Sequence, residues 1–250
     1  MIFTVANQKG GVGKTTFLIT FANYLQQHQN KKVLVIDTDT QANCSYSLQD
    51  TNVLTDAYSL FTDSKEELLQ KMSDIHDYEI NLISSDVKLT DEEDFNKENY
   101  INNLKHLNSL FDFILIDSGP SVSNKLIYSL EVVDYAIVPV ELEIYSLQGL
   151  GLMLNTIINI KNTTNNKLNL LGVLPSRVIT TNKRQLINLE RLIDEYGEDL
   201  FLPWIRFRND IADATSNRML FFKSKSKHKK ELKEVYDNIY SRMQWVLYGW

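Results

Sequence analysis

At 250 residues the chain is long enough to bury one well-packed core, and its length alone does not require two domains. Its hydrophobic content of 43% and charged content of 23% are ordinary for a globular protein, and no apolar run approaches the roughly 18 residues of a membrane-spanning helix. We expect a cytosolic protein without a secretion signal, because residues 1–6 run directly into a polar loop. The single cysteine, Cys44, excludes an intramolecular disulfide and a cysteine-bound metal cluster.

The net charge of −6 is unevenly distributed along the chain. Residues 1–160 carry 10 basic and 22 acidic side chains, whereas residues 161–250 carry 16 basic and 10 acidic side chains. An acidic body with a basic carboxyl-terminal portion indicates one localised anionic partner rather than general adhesion to anions.

The first elements in chain order are an apolar run at residues 2–6, a glycine-rich loop at 9–16 and an amphipathic segment at 17–25. An apolar strand, a glycine-rich loop and a helix in this order are typical of a phosphate-binding loop. The loop glycines allow backbone N–H groups to surround an anion, and the helix start adds its positive dipole end. Lys14 is then placed to contact the β- and γ-phosphates, and the hydroxyl of Thr15 to bind Mg²⁺.

The loop sequence KGGVGKTT departs from the general pattern, because Gln8 occupies the first glycine position and Lys9 is additional. Lys9 together with Lys14 resembles the deviant Walker A box of the ParA/MinD family of P-loop ATPases. The resemblance implies ATP and Mg²⁺ as cofactors and a homodimer that closes on ATP, with Lys9 reaching the nucleotide of the other subunit. The predicted ATP-binding residues are Lys9, Gly10, Gly11, Val12, Gly13, Lys14, Thr15 and Thr16.

A second apolar run at residues 33–36 predicts a buried parallel strand, and it ends in the polar sequence DTDTQAN at residues 37–43. Carboxyl ends of parallel strands form the ligand crevice, so Asp37 and Asp39 are expected near the phosphate loop. The stretch resembles the switch I segment of the same family, with Thr40 in place of a proline. By that resemblance Asp39 orients the attacking water, Asp37 organises the Mg²⁺ shell, and the catalytic residues are Lys9, Lys14 and Asp39. A plain turn after the strand is the alternative.

Residues 79–84 and 111–116 predict two further strands. The second ends at Asp117, which is the Walker B arrangement of a Mg²⁺-binding carboxylate and completes a predicted metal set with Thr15 and Asp37. A simple strand-ending turn is again the alternative. Gly119 stands where the family has a proline, and we expect it to make this turn more mobile. The acidic interval at residues 86–98 is interpreted as a solvated loop and helix start, with a metal role as the less favoured alternative.

Later strands are predicted at residues 134–140 and 168–174, a polar loop at 161–167 and a helix at 185–196. The pattern favours an α/β fold with a doubly wound, mostly parallel sheet and helices on both faces, the P-loop NTPase fold with a deviant Walker A box. By resemblance, residues 141–150 belong to a dimer face and Arg177 is a candidate adenine contact. We predict a single ParA-type ATPase domain over residues 1–250, with a basic portion at about 206–233.

The basic portion contains nine basic and three acidic side chains. Its sequence FKSKSKHKK alternates lysine with small polar residues, a composition suited to phosphates rather than to base edges. We predict sequence-independent DNA binding, with a solvated surface as the alternative. The predicted DNA-binding residues are Arg206, Arg208, Arg218, Lys223, Lys225, Lys227, Lys229 and Lys230. The resemblance is closest to DNA partition ATPases, which implies nucleoid association and a ParB-type centromere-binding partner that stimulates hydrolysis.

Residues 236–250 place apolar and aromatic side chains at helical spacing. A helix packed on the sheet explains this pattern most simply, because the polar face carries little positive charge. The alternative is a membrane-surface helix in a MinD/FlhG-like positioning ATPase. A relative that carries an iron–sulfur cluster is excluded, because Cys44 has no second cysteine to pair with.

Overall fold

The computed structural model describes residues 1–72, 74–90 and 95–248. Seven strands of this part of the chain form one sheet in which every pair is parallel, as the sequence predicts. The strands are β1 (Ile2–Val5), β2 (Val33–Asp37), β3 (Asn52–Asp56), β4 (Ile80–Ser84), β5 (Phe113–Asp117), β6 (Tyr135–Val140) and β7 (Asn169–Pro175). Their order is β3-β4-β2-β5-β1-β6-β7, so β1 and the loop that follows it lie near the middle of the sheet.

Helices alternate with the strands along the chain, as crossover connections between parallel strands require. They are α1 (Lys14–Gln29), α2 (Asn43–Leu48), α3 (Ser59–Thr62), α4 (Lys65–Lys71), α5 (Lys97–Leu107), α6 (Asn124–Leu130), α7 (Ile144–Thr163), α8 (Lys183–Tyr196), α9 (Asn209–Ser216) and α10 (Lys229–Tyr248). Single 3₁₀ turns lie at Val87–Thr90, Glu198–Leu200 and Phe221–Lys223.

The sheet separates two apolar layers. Successive strand residues point to opposite faces, so Phe3 of β1 belongs to the layer that contains Phe17 of α1, whereas Ile2 belongs to the layer that contains Met153 of α7. The continuous apolar runs of the central strands follow from this burial on both faces. The fold is therefore the predicted α/β fold with helices on both sides of a parallel sheet.

The carboxyl-terminal helix α10 packs on the layer formed by α1. Tyr236, Ile239 and Met243 are fully buried there, and the hydroxyl of Tyr236 lies 2.5 Å from Thr20 Oγ1. These three side chains, on which the membrane-surface alternative depends, are thus part of the core. No helix among residues 1–72, 74–90 and 95–248 is long and apolar enough to cross a membrane.

Three details differ from the sequence prediction. The prediction of a polar loop at residues 161–167 is wrong for residues 161–163, because α7 buries Ile160 against the core and continues to Thr163. Residues 205–214, which resemble a late strand and loop of the family ahead of a helix, form no strand of the sheet within the described residues, and the nearby pairings are isolated bridges from Val173 to Phe201 and from Val178 to Arg206. Strand β3 was not predicted. The acidic residues Asp91, Glu92, Glu93 and Asp94 of the interval at 86–98, and Trp250 of the terminal pattern, lie outside the described residues.

Candidate functional site

The glycine-rich loop curls at the carboxyl end of β1 and leads directly into α1. Gly11 and Gly13 have φ angles of 78° and 86°, a left-handed conformation that favours residues without a Cβ. The hydroxyl of Ser176, just after β7, donates to the carbonyl of Val12 at 2.6 Å. This bond holds the loop against the neighbouring strand. The loop lines one end of a cavity of about 590 Å³, which is large enough for a nucleotide.

Lys14 is the first residue of α1, and its side chain is almost completely buried beneath the loop. Its ammonium donates to the carbonyl of Lys9 at 3.0 Å. Burial lowers the pKa of Lys14, while the charges of Asp117 and Asp39 act in the opposite direction. A buried cation with one carbonyl partner favours an anion in the loop, because phosphate oxygens supply stronger hydrogen bonds to the ammonium.

Three oxygen-bearing side chains meet beside Lys14. Asp37 and Asp117 are paired in register at the ends of β2 and β5, and both are buried. Thr15 donates its hydroxyl to Asp117 Oδ2 at 2.7 Å, while the backbone N–H and the hydroxyl of Ser45 donate to Asp37 Oδ2 at 2.8 and 2.7 Å. These contacts bring the predicted metal residues together.

The same residues fit a magnesium ion. Asp117 Oδ1 is buried and has no hydrogen-bond partner among the described residues, which is costly for a carboxylate unless a cation compensates its charge. Burial, with the nearby charge of Asp37, raises the pKa of Asp117, and burial likewise raises the pKa of Asp37. A hydroxyl and carboxylates are the hard oxygen ligands that Mg²⁺ binds in nucleotide sites. Thr15 and Asp117 are the residues that would hold the ion.

Asp39 lies at the rim of the cavity, two residues beyond the end of β2. Its Oδ1 accepts the backbone N–H of Gln41 at 3.1 Å, so the carboxylate is held by the switch turn. Gly119 lies directly against it. A Cβ at position 119 would stand 3.2 Å from Asp39 Oδ1, closer than most side chains tolerate. The glycine that replaces a family proline therefore makes room for Asp39.

The other end of the cavity is formed by residues after β7 and before α9. Arg177 donates to the carbonyl of Gly11 at 3.0 Å and lies over the ring of Phe207 at 5.3 Å. Arg206 and Arg208 line the same cavity. A cationic and aromatic lining suits the base and ribose end of a nucleotide whose phosphates lie in the glycine-rich loop.

Comparisons with known proteins agree with this geometry. The family model described as "AAA domain" matches residues 1–170. Protein IncC of Escherichia coli is 34% identical over 253 aligned residues, which cover 96% of this chain and 69% of IncC. The chain belongs to the ParA/MinD family of deviant Walker A ATPases.

Two further family comparisons extend over most of the chain. The chromosome-partitioning ATPase Soj of Treponema pallidum is 29% identical, with 84% of this chain and 85% of Soj covered. A solved structure of a putative plasmid partition protein from Borrelia burgdorferi B31, bound to AMPPNP, has a TM-score of 0.72 and 26% identity, and covers 97% of this chain and 98% of that one. The chain is thus a ParA-type ATPase by family.

Lys9, the additional lysine of the deviant Walker A box, contacts the end of the neighbouring strand β6. Its Nζ lies 3.1 Å from Glu141 Oε2 after β6, and its side chain is 40% exposed. Arg177 reaches the other carboxylate oxygen of Glu141 at 3.3 Å. The residues of the expected dimer face that follow, 144–148, have side chains outside the described part of the structure.

The predicted DNA-binding residues divide into two groups. Arg206 and Arg208 pair with Glu231 beside the cavity, and Arg218 lies 4.6 Å from the centre of the Tyr46 ring. The five lysines before and at the start of α10 are instead solvent-accessible, and none forms an ion pair within the described residues. These lysines are Lys223, Lys225, Lys227, Lys229 and Lys230.

Several residues of the site carry no sequence signal of their own. Glu141, Ser176 and Glu231 act through partners that are distant along the chain, and Ser45 acts through Asp37 across the intervening switch turn. Ser176 is 164 residues from Val12, for example. An apolar strand followed by a polar turn identifies the strand end, but which polar residue turns toward the loop depends on the neighbouring strand.

Proposed function

We propose that this chain is a DNA partition ATPase that dimerises on ATP, coats DNA without sequence preference and is released when hydrolysis is stimulated by a ParB-type centromere-binding protein. The observation that carries the DNA part is the run of exposed lysines at residues 223–230, which stands beside an otherwise acidic ATPase. Lysines that form no ion pair within the described residues are available to a phosphate backbone. A cytoplasmic, nucleoid-associated protein follows from this proposal.

The residues of the cavity have separate roles in the proposed ATPase cycle. Lys14 and the backbone N–H groups of the loop bind the phosphates, and Thr15 and Asp117 would hold a Mg²⁺ ion, which would neutralise phosphate charge. Asp37 positions the switch turn through its bonds to Ser45 and to the N–H of Asp39. Asp39 orients the attacking water. Such positioning and charge stabilisation are the main needs of phosphoryl transfer.

Dimerisation is proposed to involve Lys9. Its side chain is partly exposed and its ammonium contacts Glu141, a position from which it can turn toward a second subunit. A dimer doubles the number of lysines presented to DNA, which raises affinity through effective concentration. Size-exclusion chromatography with light scattering tests this role, because Lys9→Ala should stay monomeric with ATP while the wild type dimerises.

The DNA proposal is tested by replacing the five lysines of residues 223–230 with alanine. Each lost phosphate contact should flatten the slope of log affinity against log salt by about 0.9, so the five lysines account for about 4.5 per subunit and about 9 per ATP-bound dimer. The matched control removes the same charge from exposed lysines elsewhere on the chain. The control lysines are Lys65, Lys88, Lys105, Lys167 and Lys183.

Fluorescence anisotropy with random-sequence duplex DNA measures the slope for both variants in the presence of ATP. We expect a slope reduced by that amount in the first variant and a wild-type slope in the control. Equal slopes in the two variants would show that the DNA contacts lie outside residues 223–230.

A further inference from the structure

The basic segment, defined as residues 223–230, is tied to the nucleotide cavity by an acidic residue that follows it. Glu231 is the only acidic residue between positions 223 and 233. Its Oε2 accepts Arg208 Nη2 at 2.7 Å, and its Oε1 lies 3.5 Å from Arg206 Nε. Both oxygens of this carboxylate are therefore engaged by arginines from a different part of the chain.

Those two arginines belong to the wall of the cavity. Arg206 and Arg208 line it together with the phosphate loop, and the backbone that carries them is fixed to the end of the sheet. The N–H of Ile205 donates to Pro175 at 2.9 Å, and the N–H of Phe207 donates to Val178 at 3.0 Å. A ligand in the cavity thus meets arginines that have a fixed backbone and side chains oriented by Glu231.

A second set of contacts also joins the basic segment to the cavity wall. Asp210, in the first turn of α9, accepts the hydroxyl of Ser226 and lies 2.8 Å from Nδ1 of His228. The residue that follows it, Ile211, lines the cavity. The second half of the lysine run and the residue that follows it are consequently attached to the stretch at residues 205–211 that forms the cavity wall.

We propose that Glu231 is a positioning residue that couples nucleotide in the cavity to DNA at the basic segment. This inference rests on the proposed DNA-binding function. Nucleotide that contacts Arg206 and Arg208 restricts their side chains and, through Glu231, the first turn of α10 and the lysines before it. DNA then binds lysines that are already ordered, so less conformational entropy is lost when it binds.

The coupling must act in both directions. If nucleotide raises DNA affinity by some factor through this contact, DNA raises nucleotide affinity by the same factor. Couplings of this kind are typically about 5-fold to 150-fold. Removing the charge of Glu231 should lower the factor by roughly 3-fold to 10-fold, whatever it does to either affinity alone.

Glu231→Gln keeps the size of the side chain and removes its charge. Glu234→Gln is the matched control, because Glu234 is an exposed glutamate three residues further along α10 and its side chain has no partner within the described residues. For each protein, anisotropy of random-sequence duplex DNA is measured without nucleotide and with a non-hydrolysable ATP analogue. The ratio of the two affinities is the coupling factor, and the analogue's affinity with and without DNA gives it independently.

A lower coupling factor in Glu231→Gln, with a wild-type factor in Glu234→Gln, supports the proposal. An unchanged factor in Glu231→Gln, or an equal loss in both variants, overturns it. A wild type whose DNA affinity does not respond to nucleotide refutes the proposed function itself and the coupling with it, so the two failures are distinct. If Glu231→Gln melts at a lower temperature than Glu234→Gln, the coupling factor is measured in Asp210→Asn instead, because this substitution releases the same segment through different partners. A lower coupling factor in Asp210→Asn supports the proposal, and an unchanged factor overturns it.

Discussion

Replacing Lys14 by methionine should separate the stability of the fold from the binding of nucleotide. Methionine has a similar length but no charge, and Lys14 is 7% exposed and donates to the carbonyl of Lys9 at 3.0 Å. A charge-assisted hydrogen bond contributes about 1.5–3 kcal/mol, and burying an ion costs several kcal/mol. Loss of the hydrogen bond destabilises the variant, whereas removal of the buried charge stabilises it. We therefore expect the nucleotide-free variant to melt at the wild-type temperature or above it.

The response to ATP should be lost in this variant. ATP at a thousand times its Kd stabilises the wild type by about 4 kcal/mol, which corresponds to roughly 8–16 °C for a chain of this size. Lys14→Met should show almost none of this shift in a thermal melt with ATP and magnesium. Lys105→Met, at an exposed lysine of α5, is the control and should keep the full shift. An undiminished shift in Lys14→Met would refute the assignment of the phosphate loop.

Three further outcomes follow from the same cavity. Asp39→Ala should bind ATP and dimerise but release phosphate at least about 100-fold more slowly, because a water-orienting group is lost; normal phosphate release would assign that role elsewhere. Gly119→Ala should slow phosphate release with little change in ATP affinity, since its methyl group would crowd Asp39 Oδ1 at 3.2 Å; equal rates would show that the turn adjusts. Burial raises the pKa of Asp117 to about 8, so the native state binds a proton that the unfolded state has lost above about pH 4. Stability of the nucleotide-free protein should therefore fall as the pH rises from 4 to 8, and Asp117→Asn should raise the melting temperature at pH 8 but not near pH 4.

The parallel sheet could be predicted from the sequence because its central strands are buried on both faces. Residues 33–36 and 113–116 are continuous apolar runs for that reason, and each is followed by the carboxylate that the site uses. The edge strand β3 has no such run, since only one side of it pairs and its side chains are half exposed. Its sequence NVLTD therefore resembles a turn as much as a strand.

The positions of the glycine-rich loop and of the carboxylates Asp37 and Asp117 could be predicted, because each lies in a short, contiguous motif at the end of an apolar strand. The contacts that organise the cavity could not, because they join distant positions. Glu231 is an ordinary helix residue in the sequence, and only folding brings it to Arg206 and Arg208. The prediction also treated these arginines and the five lysines as one basic surface, since composition cannot distinguish a cation paired at a cavity wall from one in solvent.

The most direct test of a DNA partition ATPase is binding of the wild-type protein to random-sequence duplex DNA, measured across a salt series with ATP, with ADP and without nucleotide. The account predicts tight, salt-sensitive binding with ATP and much weaker binding in the other two conditions. Absence of DNA binding in all three conditions, in a protein that still dimerises on ATP, would contradict it.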